Sequence, residues 1–200
     1  MIDIEIVKGR EVQFHHDTHT YYVDQVAVPS VTQVIKEVLP NPYETIAPQV
    51  LRQAANRGIS LHKEIELYEE TGIKGHSREF RNYLKLKNRH NLQTIHNEKM
   101  IFIEHEGKVL CAGRLDMVIK MHPYEGHGLG DVKRTYKVLY DHLKLQLNLY
   151  KIGYEQCYGE DIAYMKCIHL RNDVSEIIDV QMDTEYAIRM LLKYHETSLK

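Results

Sequence analysis

Two neighbouring stretches decide the fold of this chain: Val109-Leu-Cys-Ala-Gly-Arg-Leu-Asp-Met-Val-Ile119 and Gly130-Asp131-Val132-Lys133. The first is an apolar strand interrupted by Asp116, whose burial is costly unless a cation compensates its charge. In the second, residues two apart point to the same side of a strand, so Asp131 and Lys133 lie side by side. The connection between the two stretches is short, which favours antiparallel pairing and brings Asp116 near Asp131.

The flanking sequence predicts an α/β fold in which helices surround a mixed sheet. Periodicity and turn residues divide the chain into a hairpin at Glu11–Val28, a short helix capped by Ser30, a proline-rich loop at Pro40–Pro48, helices at Ala54–Glu70 and Ser77–Asn91, strands at Lys99–His105, Lys108–Met121 and Leu129–Arg134, a long helix at Lys137–Tyr158, strands at Ile162–Leu170 and Val174–Met182, and a helix at Thr184–His195. We expect one domain over residues 1–200, with a hairpin and helical extension at 1–53 and the core at 54–200.

Composition and charge narrow the class of protein. No apolar run approaches the roughly 18 residues of a membrane-spanning helix, and the N-terminus lacks the features of a signal or transit peptide. The sequence therefore predicts an intracellular, cytoplasmic protein. The three cysteines are scattered, which argues against a zinc site, a disulfide framework or an iron–sulfur cluster.

The formal net charge of −2 gives no global sign of nucleic-acid binding, so any such binding needs a local basic track. The stretch from Lys74 to Lys99 is one candidate for that track. The alternative is that its charges form a solvated helix face.

Two carboxylates brought together repel each other unless one is protonated or a cation lies between them. Oxygen ligands of this kind suit Mg²⁺ or Mn²⁺. A lysine beside the ion, Lys133, can have its pKa lowered and can orient or deprotonate a water molecule. The alternative is that Asp131 and Lys133 form an ordinary surface ion pair; the apolar setting of Asp116 weighs against it.

Taken together, the motifs resemble the PD-(D/E)XK nuclease superfamily, in particular its RecB-like branch. The resemblance rests on Gly113-Arg-Leu-Asp116, Gly130-Asp-Val-Lys133 and Gln146-Leu-Asn-Leu-Tyr150, with Arg57-Gly-Ile-Ser-Leu-His62 and Pro29-Ser-Val-Thr32 upstream. It covers roughly Tyr21 to Tyr154, and the chain is similar to phage RecB-like exonucleases and the mitochondrial genome maintenance exonuclease. Leu115 stands where the family name has Pro, a common variation in this branch.

The resemblance implies a restriction-endonuclease-like core and a role for each matching residue. Lys133, Asp116 and Asp131 would be catalytic, and His62, Asp116, Asp131 and the backbone carbonyl of Val132 would bind one or two Mg²⁺ or Mn²⁺ ions. Glu66 and Glu98 would serve a second metal or its waters, and Gln146, Tyr150 and Arg134 would position the substrate.

Residue chemistry supports one of these roles independently. Gln146 lies on the apolar face of its helix with Leu139, Leu143, Leu147 and Tyr150, where a buried amide needs hydrogen-bond partners. A polar active site facing that helix would supply them. The alternative is a core glutamine whose partners are structural. A lone histidine such as His62 is more often structural than a ligand, so its metal role rests on the resemblance.

The sequence thus predicts a metal-dependent DNA exonuclease that hydrolyses phosphodiester bonds with metal-activated water. Its expected partners are single-stranded DNA or duplex ends, without a membrane, and the family suggests DNA repair or recombination, including a phage setting in a bacterial host. Two alternatives stay open: a structure-specific DNA endonuclease on the same core, and a catalytically silent nucleic-acid-binding module. Cleavage polarity, DNA or RNA preference and oligomeric state are not determined by the sequence.

Overall fold

A computed structural model describes residues 1–40, 42–172 and 174–198, and it contains two β-sheets and five helices in this part of the chain. The first sheet is an antiparallel meander of four strands: β1 (Ile2–Val7), β2 (Arg10–His15), β3 (Thr20–Val23) and β4 (Val26–Val28). The predicted hairpin is therefore present, but the N-terminal hexapeptide adds a strand that the sequence interpretation did not assign.

The second sheet has five strands in the order β5 (Gln93–His105), β6 (Lys108–Lys120), β7 (His127–Lys133), β8 (Ile162–Arg171) and β9 (Val174–Asp179). It is mixed, because β7 and β8 run parallel whereas the other neighbours are antiparallel. The predicted α/β architecture, a central mixed sheet flanked by helices with an N-terminal hairpin and helices, is confirmed.

Five helices surround the sheets: α1 (Val31–Val38), α2 (Pro48–Thr71), α3 (Arg78–Arg89), α4 (Tyr140–Tyr158) and α5 (Thr184–Ser198). Ser30 caps α1, as predicted, through a capping box with Gln33, and Gly72 ends α2 in the left-handed conformation. The proline-rich loop is shorter than predicted, because Pro48 is the first residue of α2. Proline is well suited to that position, where its missing N–H is not needed.

The apolar core lies on both faces of the larger sheet. One cluster joins the N-terminal sheet, α1, α4 and α5 to β5 and β6, with Val12, Phe14 and Phe102 among its members. The other joins α2 and α3 to the opposite face, through Leu61 and Phe80. Strands covered on both faces leave few positions for polar residues. The polar residues near the end of β7, such as the buried Asp131, therefore mark a candidate site. No helix in the described ranges is long and apolar enough to cross a membrane.

Candidate metal centre

The candidate site forms where α2 crosses the junction of β5, β6 and β7. Met117 of β6 pairs with Gly130 of β7, so the next residues along each strand, Asp116 and Asp131, lie at facing positions. The ladder does not continue through them, because Asp116 Oδ2 accepts a hydrogen bond of 2.7 Å from the backbone N–H of Val132. A strand N–H thus holds the carboxylate in place, whereas the sequence interpretation expected a cation to compensate its charge.

His62 approaches the same two strands from α2. Its Nε2 lies 3.0 Å from the carbonyl oxygen of Val132 and its Nδ1 lies 3.6 Å from Asp116 Oδ2. A carbonyl only accepts hydrogen bonds, so the proton is on Nε2. In the neutral imidazole the lone pair of Nδ1 then faces a carboxylate oxygen, and two acceptors that face each other favour a cation between them.

Glu98 completes a group of three. It lies opposite Asp116 on β5, between the pairs Asn97–Met117 and Lys99–Leu115, and its φ of 49° turns its backbone out of the regular strand conformation. His62, Glu98 and Asp116 each offer a ligand atom within 4.8 Å of the others. We call these three residues the metal trio.

The electrostatics of the metal trio also fit a cation. Burial, and secondly the charge of Asp116, raise the pKa of Glu98 to about 8. Arg114 opposes this shift with a 2.9 Å ion pair to Glu98 Oε2 but does not cancel it. Ligands on an octahedral Mg²⁺ at about 2.1 Å lie roughly 3 to 4 Å from one another, a spacing that the separation of His62 and Asp116 matches.

A small pocket lies among these side chains, with a volume of about 10 Å³. That volume is about what one water molecule needs, so an ion of similar size also fits. The pocket is lined by the trio together with Glu66, Asn97, Met117, Ile65 and Val132. Glu66 therefore lies at the site, as the family resemblance implies.

Asp131 and Lys133 form a second group directly beside the metal trio. Lys133 Nζ lies 3.0 Å from Asp131 Oδ1 and 2.7 Å from Oδ2, and it donates a 3.1 Å hydrogen bond to Gln146 Oε1. Asp131 is almost fully buried, whereas a quarter of the Lys133 side chain is exposed. Asp131 Oδ2 makes no hydrogen bond of proper geometry in the described part of the chain, which leaves a buried acceptor available to a further cation.

The ion pair sets the charge state of both residues. Burial raises the pKa of Asp131, and the positive charge of Lys133 is the main influence that opposes this shift. For Lys133, burial acts to lower the pKa, but the charges of Asp131 and Asp116 outweigh it and the pKa is raised. The sequence interpretation allowed a lowered pKa beside an ion; without one, Lys133 is an ammonium group.

The helix α4 supports this pair as expected. Gln146 accepts from Lys133 and its amide nitrogen lies 3.4 Å from the hydroxyl of Tyr150, which is buried. The predicted polar partners of Gln146 are therefore present. Gly113 lies under the same tyrosine. A Cβ there would come within 2.9 Å of Tyr150 Cε1, so any larger residue would clash with the ring.

Not every sequence-predicted residue joins the metal trio. Asp131 lies outside it and is held by Lys133, and Arg134, expected to position substrate, is paired to Glu79 of α3 at 2.6 Å. The sequence interpretation also gave no role to Arg114, which links Glu98 to Asp3 of β1. Its position in the Gly-Arg-Leu-Asp motif, two residues before Asp116, could have indicated that Arg114 lies near the site.

Comparisons with known proteins add little to this geometry. No protein-family model matches the chain, and no curated protein matches it. Among solved structures, the crystal structure of SSO0001 is similar at 19% sequence identity and a TM-score of 0.49, over 85% of this chain and 76% of that one. At that level, the likeness bears on neither the site nor the function.

Proposed function

We propose that this protein is a metal-dependent DNA nuclease, most simply an exonuclease acting on single-stranded DNA or duplex ends. One observation carries the proposal: the backbone of Val132 is bonded to both Asp116 and His62, and the two residues that flank it are Asp131 and Lys133. A metal-ligand group and a lysine–aspartate pair are thereby fixed on one short segment.

The residues present fit Mg²⁺ or Mn²⁺. The metal trio offers two carboxylates and one imidazole nitrogen, and further oxygen donors nearby are the second lone pair of the Val132 carbonyl and Asp131 Oδ2, which lies 2.7 Å from Lys133 Nζ. A divalent ion there would supply Lewis acidity toward a phosphate and lower the pKa of a water molecule. Whether one or two ions bind stays a prediction.

The chain's own residues account for the rest of the proposed chemistry. Lys133, as an ammonium group a quarter exposed, can donate to a non-bridging oxygen of a phosphodiester and offset the charge that develops there. Asp131 and Gln146 fix its position by accepting from the same Nζ. Asp131 also keeps the lysine protonated, which suits a charge-stabilising role better than that of a general base.

End-labelled single-stranded and duplex DNA, incubated with Mg²⁺ or Mn²⁺, tests this function directly. We expect metal-dependent cleavage that falls at least a hundredfold in Lys133→Ala and Asp116→Asn. Lys120→Ala is the matched control, because Lys120 ends β6 as an exposed lysine. If both site variants cleave like the parent protein, the proposal is wrong. A circular single strand separates an exonuclease, which leaves it whole, from an endonuclease.

A further inference from the structure

A second cavity opens beside Lys133, on the side away from the metal trio. It lies between α1 and the start of α4 and has a volume of about 590 Å³. Its walls combine apolar side chains with a few polar ones, with Thr32 and Ile35 on the α1 side and His142 and Leu143 on the α4 side. We call it the α1–α4 pocket.

The α1–α4 pocket has the chemistry of a site for a flat, largely apolar group attached to an anion. Leu39, Val138 and Leu139 provide an apolar surface, while Lys133 and Gln146 provide the polar edge nearest the metal trio. Thr135 Oγ1 in the same wall is buried and makes no hydrogen bond within the described ranges. A buried hydroxyl without a hydrogen-bond partner lowers the stability of the fold, so a ligand that bonds to it would be favoured.

On its other side, Lys133 faces a basic groove of about 630 Å³ that reaches His62 and Val132. The groove is lined by Arg57 and Arg171, and by Lys133 and Arg134, whose charges are paired with Asp131 and Glu79; the lining contains no carboxylate. Tyr136 at its edge is 81% exposed, with the Arg171 guanidinium 4.0 Å from the centre of its ring. Cations interleaved with aromatic rings are typical of surfaces that bind single-stranded nucleic acid.

We propose that the α1–α4 pocket receives one unstacked nucleobase of a DNA strand whose backbone follows the basic groove and whose scissile phosphate lies at Lys133. This inference rests on the proposed function and specifies that the DNA is single-stranded where it is cleaved. Lys133, Thr135 and Tyr43 line both cavities, so a strand passing from one to the other crosses the reaction centre. The apolar walls make the pocket tolerant of base identity.

Size supports this occupant. About 590 Å³ lies within the range of small-molecule sites, roughly 300 to 1,000 Å³, and accommodates a nucleoside but no base-paired duplex. A base must therefore leave its stack to enter, which favours single strands and frayed ends over intact duplex. The binding free energy gained when a base packs against side chains is large enough that a single substitution changes the affinity measurably.

An abasic walk tests the pocket. Single-stranded oligonucleotides, each with one abasic residue at a successive position, are cleaved with Mn²⁺ and bound in Ca²⁺, with affinity read by fluorescence anisotropy. We expect one position next to the scissile bond to lose about tenfold in kcat/KM and in affinity when its base is missing.

Filling the pocket tests the same idea from the protein side. Thr32→Trp should weaken the intact oligonucleotide about tenfold and remove the difference between intact and abasic substrates. Thr32 is exposed and makes neither bond of the Ser30–Gln33 capping box, so α1 keeps its buried face. His142→Trp fills the pocket from α4 if Thr32→Trp does not fold, and Arg189→Trp on exposed α5 surface is the control.

The outcomes separate the two proposals. Cleavage that ignores the abasic position, or a Thr32→Trp protein that treats the intact substrate as the parent does, overturns the pocket while the nuclease stands. If the parent protein cleaves nothing, the nuclease proposal fails and the Ca²⁺ binding series decides: a position-dependent loss of affinity supports the base pocket, and a uniform affinity rejects it.

Discussion

At the scale of single residues, Glu98 entered the sequence interpretation only through the family resemblance, and no local pattern placed it opposite Asp116. Its position depends on a backbone conformation with φ of 49°, in the region that a non-glycine residue rarely adopts. Nothing in Asn-Glu-Lys indicates that turn of the chain. By contrast, Asp131 and Lys133 follow from strand alternation alone, and their contact of 2.7 Å was predictable from spacing.

The pKa of Glu98 gives a pH-dependent stability with a definite sign. Its folded-state pKa, about 8, lies above the ordinary glutamate value of 4.5, so the metal-free folded protein binds more protons than the unfolded chain between those values. Stability therefore falls as pH rises from about 5 to 8, by roughly 2 to 4 kcal/mol. Urea unfolding at several pH values without metal should show this slope, and Glu98→Gln should flatten it. A slope unchanged in Glu98→Gln would contradict the assignment.

At the scale of elements, two of the amide side chains on α4, Gln146 and Asn148, have opposite expected roles. Gln146 faces Lys133, whereas Asn148 is fully buried on another side, where it donates to the carbonyls of Lys144 and Gln181 and accepts from the N–H of Asp183. The sequence placed Gln146 by its apolar neighbours. It could not place Asn148, because two of that residue's three partners, Gln181 and Asp183, lie beyond β9.

Exchanging each amide for leucine should separate chemistry from stability. Asn148→Leu leaves buried backbone groups without partners and should lower the free energy of unfolding by about 2 to 4 kcal/mol, with cleavage per folded molecule unchanged. Gln146→Leu should change stability by less than about 1 kcal/mol but reduce cleavage at least tenfold, because Lys133 loses one of its two anchors. Denaturant titration and cleavage rates measured on the same preparations check both; equal effects of the two variants would refute the division.

The helix α2 shows that sequence periodicity predicts only those helical segments that bury an apolar face. Residues 54–70 were predicted to be helical, but the preceding residues, from Pro48 onward, were not; they are almost entirely exposed and carry no apolar stripe. The N-terminal half of α2 lines the basic groove through Val50, Leu51 and Arg57. A groove built from an exposed helix, the end of β7 and the end of β8 has no local signature, which is why the basic stretch Lys74–Lys99 was the candidate instead.

Part of that stretch is committed elsewhere. Lys87 pairs with Glu69 and Lys99 pairs with Glu5, so both serve contacts between elements. An exchange of one cation in each region compares them: Arg57→Gln should raise KM for single-stranded DNA about threefold to tenfold and reduce its salt dependence, because one phosphate contact is lost. Lys85→Gln, on exposed α3 surface, should leave KM unchanged. Kinetics at several salt concentrations measure both effects. If Lys85→Gln raises KM and Arg57→Gln does not, the nucleic acid binds along α3 and not along the basic groove.

At the scale of the whole molecule, the metal trio draws one residue from each of three elements: His62 from α2, Glu98 from β5 and Asp116 from β6. The N-terminal sheet is tied to the same place, since Asp3 of β1 holds Arg114, which holds Glu98. The unfolded chain does not hold these groups together, so an ion that binds only the folded site must stabilise the entire fold.

We therefore expect Mn²⁺ to raise the melting temperature. At a hundredfold excess over its dissociation constant, the ion adds about 2.7 kcal/mol, which corresponds to roughly 5 to 10 °C for a chain of this length. Differential scanning calorimetry with Mn²⁺, and again after chelation, measures the shift at constant ionic strength. Asp116→Asn should abolish most of it, while Glu185→Gln on exposed α5 surface should keep it. A shift equal in both variants would place the ion outside the metal trio, and no shift in the parent protein would remove the metal from the site altogether.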